Sequence, residues 1–210
     1  MRTQTIFILA LFLICSTVCI PKSNAQIAIG PHIIISIPQD NFANFSDTGE
    51  GLGVKFAYTL TSMPILSARV DLEYLSYGVK PAAYYYNVGT ISTRNEAFRL
   101  VAGPELAVEF GRFRIYGEAM GGIYAYRTVV SVTNYIYYGS YYPETTMSKT
   151  KFGWNAGGGV LVDIGIGPWI DIGAKYHNIN DIIDAEVDGE SIISDGQDIS
   201  INIGVVFFID

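Results

Sequence analysis

The last thirteen residues of the chain, DISINIGVVFFID, alternate strictly between two kinds of side chain. The apolar face consists of Ile199, Ile201, Ile203, Val205, Phe207 and Ile209, and the opposite face of Ser200, Asn202, Gly204, Val206 and Phe208. A two-residue period indicates a β-strand whose two faces meet different surroundings. A strand at the end of a chain leaves an edge to be paired, so we expect it to pair with the first strand of the mature chain and close a sheet into a barrel.

Seven further segments show the same alternation. The eight predicted strands lie at residues 27–37, 52–60, 66–74, 98–110, 113–123, 152–164, 170–177 and 198–210. Short turns are predicted at 61–64, 111–112 and 165–167, and long loops at 39–50, 77–93, 127–150 and 178–197. An even number of strands with all short turns at one end is typical of membrane barrels. We therefore predict an all-β fold: an eight-stranded antiparallel up-and-down transmembrane β-barrel with short periplasmic turns and long extracellular loops.

The first 25 residues have the features of a signal peptide, which leaves residues 26–210 as the barrel domain. Arg2 provides a positive start, an apolar run follows at residues 6–20, and small residues stand at 23–25, where a signal peptidase cleaves. The apolar run is shorter than the roughly 20 residues that a membrane-spanning helix needs. We therefore expect an exported protein.

Both cysteines, Cys15 and Cys19, lie within this leader. They also allow a lipoprotein signal, which we disfavour because a bulky residue precedes each cysteine where a small one is needed. The mature chain then has no cysteine and must be stabilised without disulfides. The leader holds two of the 13 basic residues and none of the 20 acidic ones, so the mature net charge is −9. This sign argues against a nucleic-acid partner, which requires a basic surface.

Alternation alone leaves open which face points outward, since a soluble lipocalin-like barrel would turn the same apolar face inward. We favour lipid outside. The polar face carries charges of both signs in near balance, as a closed interior requires because unpaired buried charge is costly. It is also rich in glycine and alanine, which a narrow eight-stranded interior needs. Aromatic residues near the ends of the apolar face suit the girdle of a membrane barrel: Tyr58, Tyr74, Phe98, Trp154 and Tyr176.

We expect the inward charges to form a structural polar network. Its predicted members are Lys55, Arg69, Asp71, Glu73, Arg99, Glu105, Glu118 and Lys175. A two-residue hairpin at residues 111–112 makes residues whose numbers sum to 223 face each other, which sets Glu105 opposite Glu118. Two facing carboxylates repel, so a proton or a cation must lie between them. Arg69, on the adjoining strand, is the best candidate for that cation, and Lys55 is the second.

These features together resemble the OmpA/OmpX-type family of eight-stranded outer-membrane β-barrels. The resemblance rests on the leader, the alternating segments, ARVDLEYL at residues 68–75, FGWNAGGGV at residues 152–160 and the closing strand. It implies a monomer in the outer membrane, inserted by the barrel-assembly machinery and in contact with outer-membrane lipid and lipopolysaccharide. Such barrels usually end on an aromatic residue, whereas this chain ends Phe208-Ile209-Asp210. No cell-wall-binding domain is expected after the barrel.

Two sets of residues in the predicted long loops are candidate contact sites. The first is a group of tyrosines, Tyr135, Tyr137, Tyr138, Tyr141 and Tyr142, which suit either a contact surface for a host or surface ligand or anchoring at the membrane interface. The second is an acidic group, Asp181, Asp184, Glu186, Asp188, Glu190 and Asp195. Because the acidic group lacks the residue order of a calcium-binding loop, we predict a solvated loop and no metal site.

The two histidines, His32 and His177, do not support a hydrolase. His177 shares a strand face with Asp171, but six residues separate them, which is roughly 20 Å along a strand. We therefore predict no catalytic residue, no cofactor and a structural or surface-interaction role. The alternatives are a small porin-like channel, an outer-membrane lipid-modifying enzyme and a soluble lipocalin-like ligand-binding barrel.

Overall fold

The computed structural model describes residues 27–60, 63–85, 89–133, 144–187 and 190–209. Within these ranges it describes side chains everywhere except at residues 45, 80–85, 89–93, 130–133, 144–145, 181–187 and 190–194. The strands are β1 (Ile27–Gln39), β2 (Gly49–Leu60), β3 (Met63–Tyr77), β4 (Lys80–Tyr85), β5 (Gly89–Phe110), β6 (Phe113–Thr133), β7 (Glu144–Asp163), β8 (Trp169–Val187) and β9 (Glu190–Ile209). One helical turn, α1 (Phe42–Phe45), lies between β1 and β2. No helix in the described ranges is long and apolar enough to cross a membrane.

All strands belong to one antiparallel sheet that closes on itself. Neighbouring strands follow the order β3-β2-β1-β9-β8-β7-β6-β5-β4, and the additional pairing of β3 with β5 closes the ring. β4 continues the line of β3 after residues 78–79, and both pair with β5, so the wall has eight strands. The closing strand pairs with β1 as predicted, with Ile33 opposite Ile203 and Ile35 opposite Ile201. The prediction of an eight-stranded antiparallel barrel is confirmed.

The two-residue alternation separates an apolar exterior from a polar interior. On β1, Ile33 is 45% exposed, whereas the next residue, Ile34, is 1% exposed. The expected apolar face points outward on every strand of the wall, and its predicted girdle residues Tyr58, Tyr74, Phe98 and Trp154 are exposed. The charged face points into the barrel. A lipocalin-like arrangement would require the opposite, so the geometry disfavours that alternative.

The strands are longer than the sequence predicted. Residues 77–93, 127–150 and 178–197 were expected as loops, but β4 and the upper parts of β5 to β9 occupy most of these ranges. The polar residues in these ranges suggested loops. Strands that extend beyond the barrel wall can pair without an apolar face, and several of these residues are β-branched, which favours strands.

We call the end with the short turns lower and the other end upper. The upper sheet comprises β4 with residues 89–97, 126–133 and 144–152, and the upper hairpin comprises residues 179–187 and 190–197.

The connection between β1 and β2 also differs from a simple polar loop. Its helical turn α1 inserts Phe42 into the upper mouth of the barrel, where the ring packs edge-on against Tyr77 and Tyr126 at centroid distances of 5.4 and 6.0 Å. Downstream of α1, the Asn95 amide donates a hydrogen bond to Ser46 Oγ at 2.8 Å. Phe42 therefore anchors α1 at the upper mouth.

Candidate functional site: the charged layer of the lumen

Strand β3 supplies the first charged side chains of the interior. Arg69, Asp71 and Glu73 occupy alternate positions, so all three point into the barrel, where each is at least 98% buried. Antiparallel pairing places Lys55 of β2 opposite Asp71 and Arg99 of β5 opposite Glu73. The ARVDLEYL segment thus forms the central charged wall of the lumen.

Arg69 lies between the two facing glutamates. The hairpin register pairs Glu105 with Glu118, as the turn at residues 111–112 predicts. Arg69 Nη1 donates to Glu105 Oε2 at 2.9 Å and also contacts Glu118 Oε2. Its Nε and Nη2 donate to the two oxygens of Asp71 at 2.8 and 2.9 Å. One guanidinium therefore holds three buried carboxylates in a planar fork, an arrangement that lysine could not reproduce.

Two lysines cross the lumen from one wall to the other. Lys175 of β8 contacts Asp71 and donates to Glu73 Oε1 at 2.9 Å, both on β3. Lys55 of β2 donates to Asp171 Oδ2 of β8 at 2.6 Å. Because β3 and β2 lie on the far side of the ring from β8, these ion pairs tie opposite walls together.

Arg99 forms a second centre above the first. It contacts Asp198 of β9 and donates to the Tyr77 hydroxyl at 2.7 Å, and that hydroxyl in turn donates to Asp198 Oδ2 at 3.0 Å. Its Nη1 lies 3.6 Å from Glu73 Oε2, which connects the two centres. Every member of the predicted network is thus buried, and all except Lys55, which pairs with Asp171, are joined through shared ion pairs.

Tyr116 fits into the charged layer because glycines leave room for its ring. Its hydroxyl donates to Asp171 Oδ1 at 2.9 Å, and Lys55 Nζ lies 5.0 Å from the ring centroid. A Cβ placed on Gly159 or Gly173 would lie 2.7 or 2.5 Å from the Tyr116 hydroxyl. These glycines are therefore explained by close packing.

Apolar layers close the charged layer above and below. The lower layer consists of Ala28, Ala57, Ala107, Tyr116, Leu161, Trp169 and Val206, with Phe208 packed against it. The upper layer consists of Ile34, Phe42, Leu75, Tyr77, Ala97, Val101, Met120, Tyr124, Tyr126 and Ile179. The charged groups therefore lie buried between two apolar layers and contact one another.

The histidines are buried interior residues. His177 Nε2 lies 2.9 Å from Ser200 Oγ, a contact that the sequence did not suggest, and Nδ1 lies 3.2 Å from the Tyr124 hydroxyl. His177 and Ser200 are both fully buried, so the pair is inaccessible to a lipid or peptide. His32 Nδ1 lies 3.3 Å from the Gly30 carbonyl oxygen, and Nε2 lies 3.8 Å from Glu73.

The candidate contact sites in the predicted loops fall largely outside the described residues. The predicted tyrosine group, Tyr135, Tyr137, Tyr138, Tyr141 and Tyr142, lies entirely outside them. Of the acidic group, only the exposed Asp195 has a described side chain. No group of three or more acidic, histidine or cysteine side chains suited to a metal occurs in the part of the chain that the structure describes.

Sequence reasoning missed Asp198, Tyr77 and Tyr116 as members of the charged layer. Asp198 begins the alternating closing strand and lies on the same face as Ser200 and Asn202, so the alternation could have identified it. Tyr116 shares the strand parity of Glu118, so alternation places it inward as well, whereas Tyr77 fell in a range predicted as a loop. Arg114 and Lys151, whose strand parity also places them on the polar face, are only half-buried.

A closed eight-stranded barrel with an apolar exterior and a charged, filled interior is the fold of the small outer-membrane β-barrel proteins. Neisserial surface protein A (NspA) matches at 14% identity over 88% of this chain and 98% of that chain, with a TM-score of 0.54. Ail, the attachment invasion locus protein of Yersinia pestis, matches at 13% identity over 87% of this chain and 99% of that chain, with a TM-score of 0.51. The likeness predicted from the sequence is confirmed at the level of the fold. No protein-family model and no curated protein matches the chain.

Proposed function

We propose that this chain is a small integral outer-membrane protein that holds the upper sheet and the upper hairpin above the membrane for surface contact. The observation that carries the proposal is the outer apolar belt. On β5 it runs from Phe98 to Phe110, twelve residue steps, or about 40 Å along the strand. At a tilt of about 45° this spans about 28 Å, close to the apolar band of about 25 Å in outer-membrane barrels.

The strands continue above this belt. From Tyr126 to Thr133, β6 runs seven further residue steps, which raises the upper sheet by about 16 Å at the same tilt. The tyrosine group at residues 135–142 follows directly in the sequence. The proposal assigns contact with a host or surface ligand to this region, and contact with lipid and lipopolysaccharide to the belt and its rim.

We further propose that the chain is exported and then inserted into the outer membrane as a monomer. Residues 1–25 serve as the signal peptide, and residues 26–210 form the barrel domain, which the barrel-assembly machinery inserts as a monomer. The single closed sheet supports the monomer, because the eight wall strands pair within one chain. The closing strand carries an aromatic pair, Phe207 and Phe208, in its lower part.

The interior favours this role over the alternatives. A channel requires a continuous water path, whereas the charged layer is enclosed between the two apolar layers. A lipid-modifying enzyme requires a reactive group open to the membrane or the surface, whereas His177 and Ser200 are fully buried. The proposed role uses the barrel as a rigid support and needs no chemistry in the lumen.

Cysteine labelling on intact cells tests the location and the orientation. The predicted mature chain has no cysteine, so a single one can be introduced at Ser148→Cys in the upper sheet or at Arg112→Cys in a lower turn, both exposed positions. An impermeant maleimide should label the Ser148 variant on intact cells and the Arg112 variant only after lysis. Labelling of Arg112→Cys with protection of Ser148→Cys would overturn the orientation, and recovery of a soluble periplasmic protein would overturn the membrane assignment.

A further inference from the structure

The charged layer of the lumen holds more carboxylates than cations. Its described members, which leave out Asp163 at the lower turn, are six buried carboxylates and four buried cations: Asp71, Glu73, Glu105, Glu118, Asp171 and Asp198 against Lys55, Arg69, Arg99 and Lys175. Two of the cations are matched one to one, because Lys55 pairs with Asp171 and Arg99 with Asp198. The excess of two negative charges therefore belongs to the remaining group, four carboxylates around Arg69 and Lys175.

Arg114 offsets one of these two charges at most. Its Nη2 lies 4.0 Å from Glu105 Oε1, and its side chain is 14% exposed. One negative charge then remains among four carboxylate residues that are each at least 94% buried. A charge buried without a partner is so costly that the group neutralises instead. The folded lumen therefore needs one further positive charge.

Glu118 is the least neutralised of the four carboxylates. The other three each accept at least one hydrogen bond from Arg69 or Lys175. Glu118 contacts Arg69 and lies 3.6 Å from Lys175 Nζ, but neither of its oxygens is in a hydrogen bond with a described residue. Its Oε2 and the Oε2 of Glu105, the residue opposite it in the ladder, meet the same Arg69 Nη1 atom. Two carboxylates thus share a cation that already serves a third.

We propose that the Glu105–Glu118 pair binds one proton in the folded barrel. Carboxyl groups that share one site commonly share a proton as well, because both cannot ionise there. The proton comes from solvent when the barrel folds and returns to solvent on unfolding. The charged groups that face Glu118 are Glu105 on β5, Arg69 and Asp71 on β3, and Lys175 on β8. Arg69 between the two glutamates is therefore necessary but not sufficient.

His32 is the alternative carrier of the missing charge. Its Nε2 lies 3.8 Å from Glu73 Oε1, which is too long for a hydrogen bond. Glu73 already accepts a hydrogen bond from Lys175 at 2.9 Å, and its other oxygen lies 3.6 Å from Arg99 Nη1. Because Glu73 is better neutralised than Glu118, we assign the proton to the glutamate pair.

The test compares the pH dependence of stability in the wild type, Glu118→Gln and Glu109→Gln, which changes an exposed carboxylate on β5. Urea unfolding in lipid vesicles is measured between about pH 5.5 and 7, where an unfolded glutamate, ionised above about pH 4.3, releases the bound proton. The wild-type unfolding constant should therefore rise about tenfold more per pH unit than that of Glu118→Gln. The histidines contribute equally to both chains, so their effect cancels in this comparison. Glu109→Gln should keep the wild-type slope.

Two further measurements decide where the charge resides. Glu105→Gln should lose the same slope as Glu118→Gln, because either change removes one half of the pair. Infrared spectra of the folded wild type near neutral pH should show the carbonyl band of one protonated carboxyl group, and Glu118→Gln should lack it. Equal pH slopes for the wild type and Glu118→Gln, or no such band in the wild type, would overturn the proposal.

Two other outcomes would also overturn it. Loss of the extra slope in His32→Gln, with the slope kept in Glu118→Gln, would assign the proton to His32. Stability that rises with sodium concentration in the wild type but not in Glu118→Gln would assign the missing charge to a metal ion.

Discussion

Arg69 contacts three carboxylates in the charged layer, those of Asp71, Glu105 and Glu118. Replacing it by methionine keeps much of the volume but removes a cation from three buried carboxylates, of which Asp71 and Glu118 still contact Lys175. We expect Arg69→Met to reduce the free energy of unfolding in lipid vesicles by about 3–5 kcal/mol, the usual cost of breaking a buried ion pair. Urea titration followed by tryptophan fluorescence measures this change.

A surface ion pair provides the matched control for Arg69. The Arg94 side chain is 53% exposed and lies 3.5 Å from Glu96, so Arg94→Met should cost no more than about 1 kcal/mol. Adding Glu105→Gln and Glu118→Gln to Arg69→Met should recover part of the loss by removing the orphaned charges. A triple variant as unstable as Arg69→Met would show that Arg69 does not act through these glutamates.

The stability of the barrel is predicted to depend on glycine at position 173 because of one neighbouring atom, the Tyr116 hydroxyl oxygen. A Cβ at this position would lie 2.5 Å from the Tyr116 hydroxyl, and the next contact, with the Gly158 carbonyl oxygen, is at 3.3 Å. Gly173→Ala should therefore lower the urea midpoint clearly in the wild-type background and much less when Tyr116→Phe has removed the hydroxyl. Equal losses in both backgrounds would mean that the backbone, and not Tyr116, excludes the methyl group.

Only part of this residue-level geometry could be predicted from the sequence. The pairing of Glu105 with Glu118 follows from a two-residue turn, because a short hairpin fixes its own register. The contacts of Lys175 with Glu73 and of Arg99 with Asp198 join strands far apart in the ring. Such contacts depend on how the whole barrel closes, which no local pattern determines.

At the scale of elements, α1 is a four-residue turn whose only deeply buried side chain described is Phe42. Phe42→Ala should cost about 3 kcal/mol, at the low end for a buried phenylalanine because the site lies at the mouth and can partly collapse. Asn44→Ala, an exposed position in the same turn, should be nearly neutral. Equal effects of the two changes in urea unfolding would show that the packing of the ring against Tyr77 and Tyr126 does not stabilise the barrel.

The element boundaries show where alternation stops being informative. Within the belt, lipid on one side and a packed lumen on the other force every residue to be apolar or polar in turn, and the strands there agree with prediction. Above the belt the outward positions of β5 and β6 carry exposed polar residues such as Arg94 and Arg127, so the apolar half of the pattern fades although pairing continues. Strands such as residues 126–133 are then specified by their pairing and β-branched content, not by an apolar face.

At the scale of the whole molecule, the barrel is inverted relative to a soluble protein: apolar outside, charged within and closed above and below. Its two tryptophans report on this arrangement directly. Trp154 is 46% exposed on the outer belt, next to Tyr176 at a centroid distance of 5.8 Å. Trp169 is 5% exposed and packs against Phe208 inside the lower layer. One residue should contact lipid, and the other should not.

Quenching by brominated lipid in reconstituted vesicles tests the inverted arrangement most directly. Trp169→Phe leaves Trp154 as the only fluorophore, and Trp154→Phe leaves Trp169. Phosphatidylcholine brominated near the headgroup should quench Trp154 strongly and Trp169 only weakly, because quenching requires near contact with the acyl chains. Strong quenching of Trp169 with protection of Trp154 would contradict the account, as would full solubility of the folded protein without lipid or detergent.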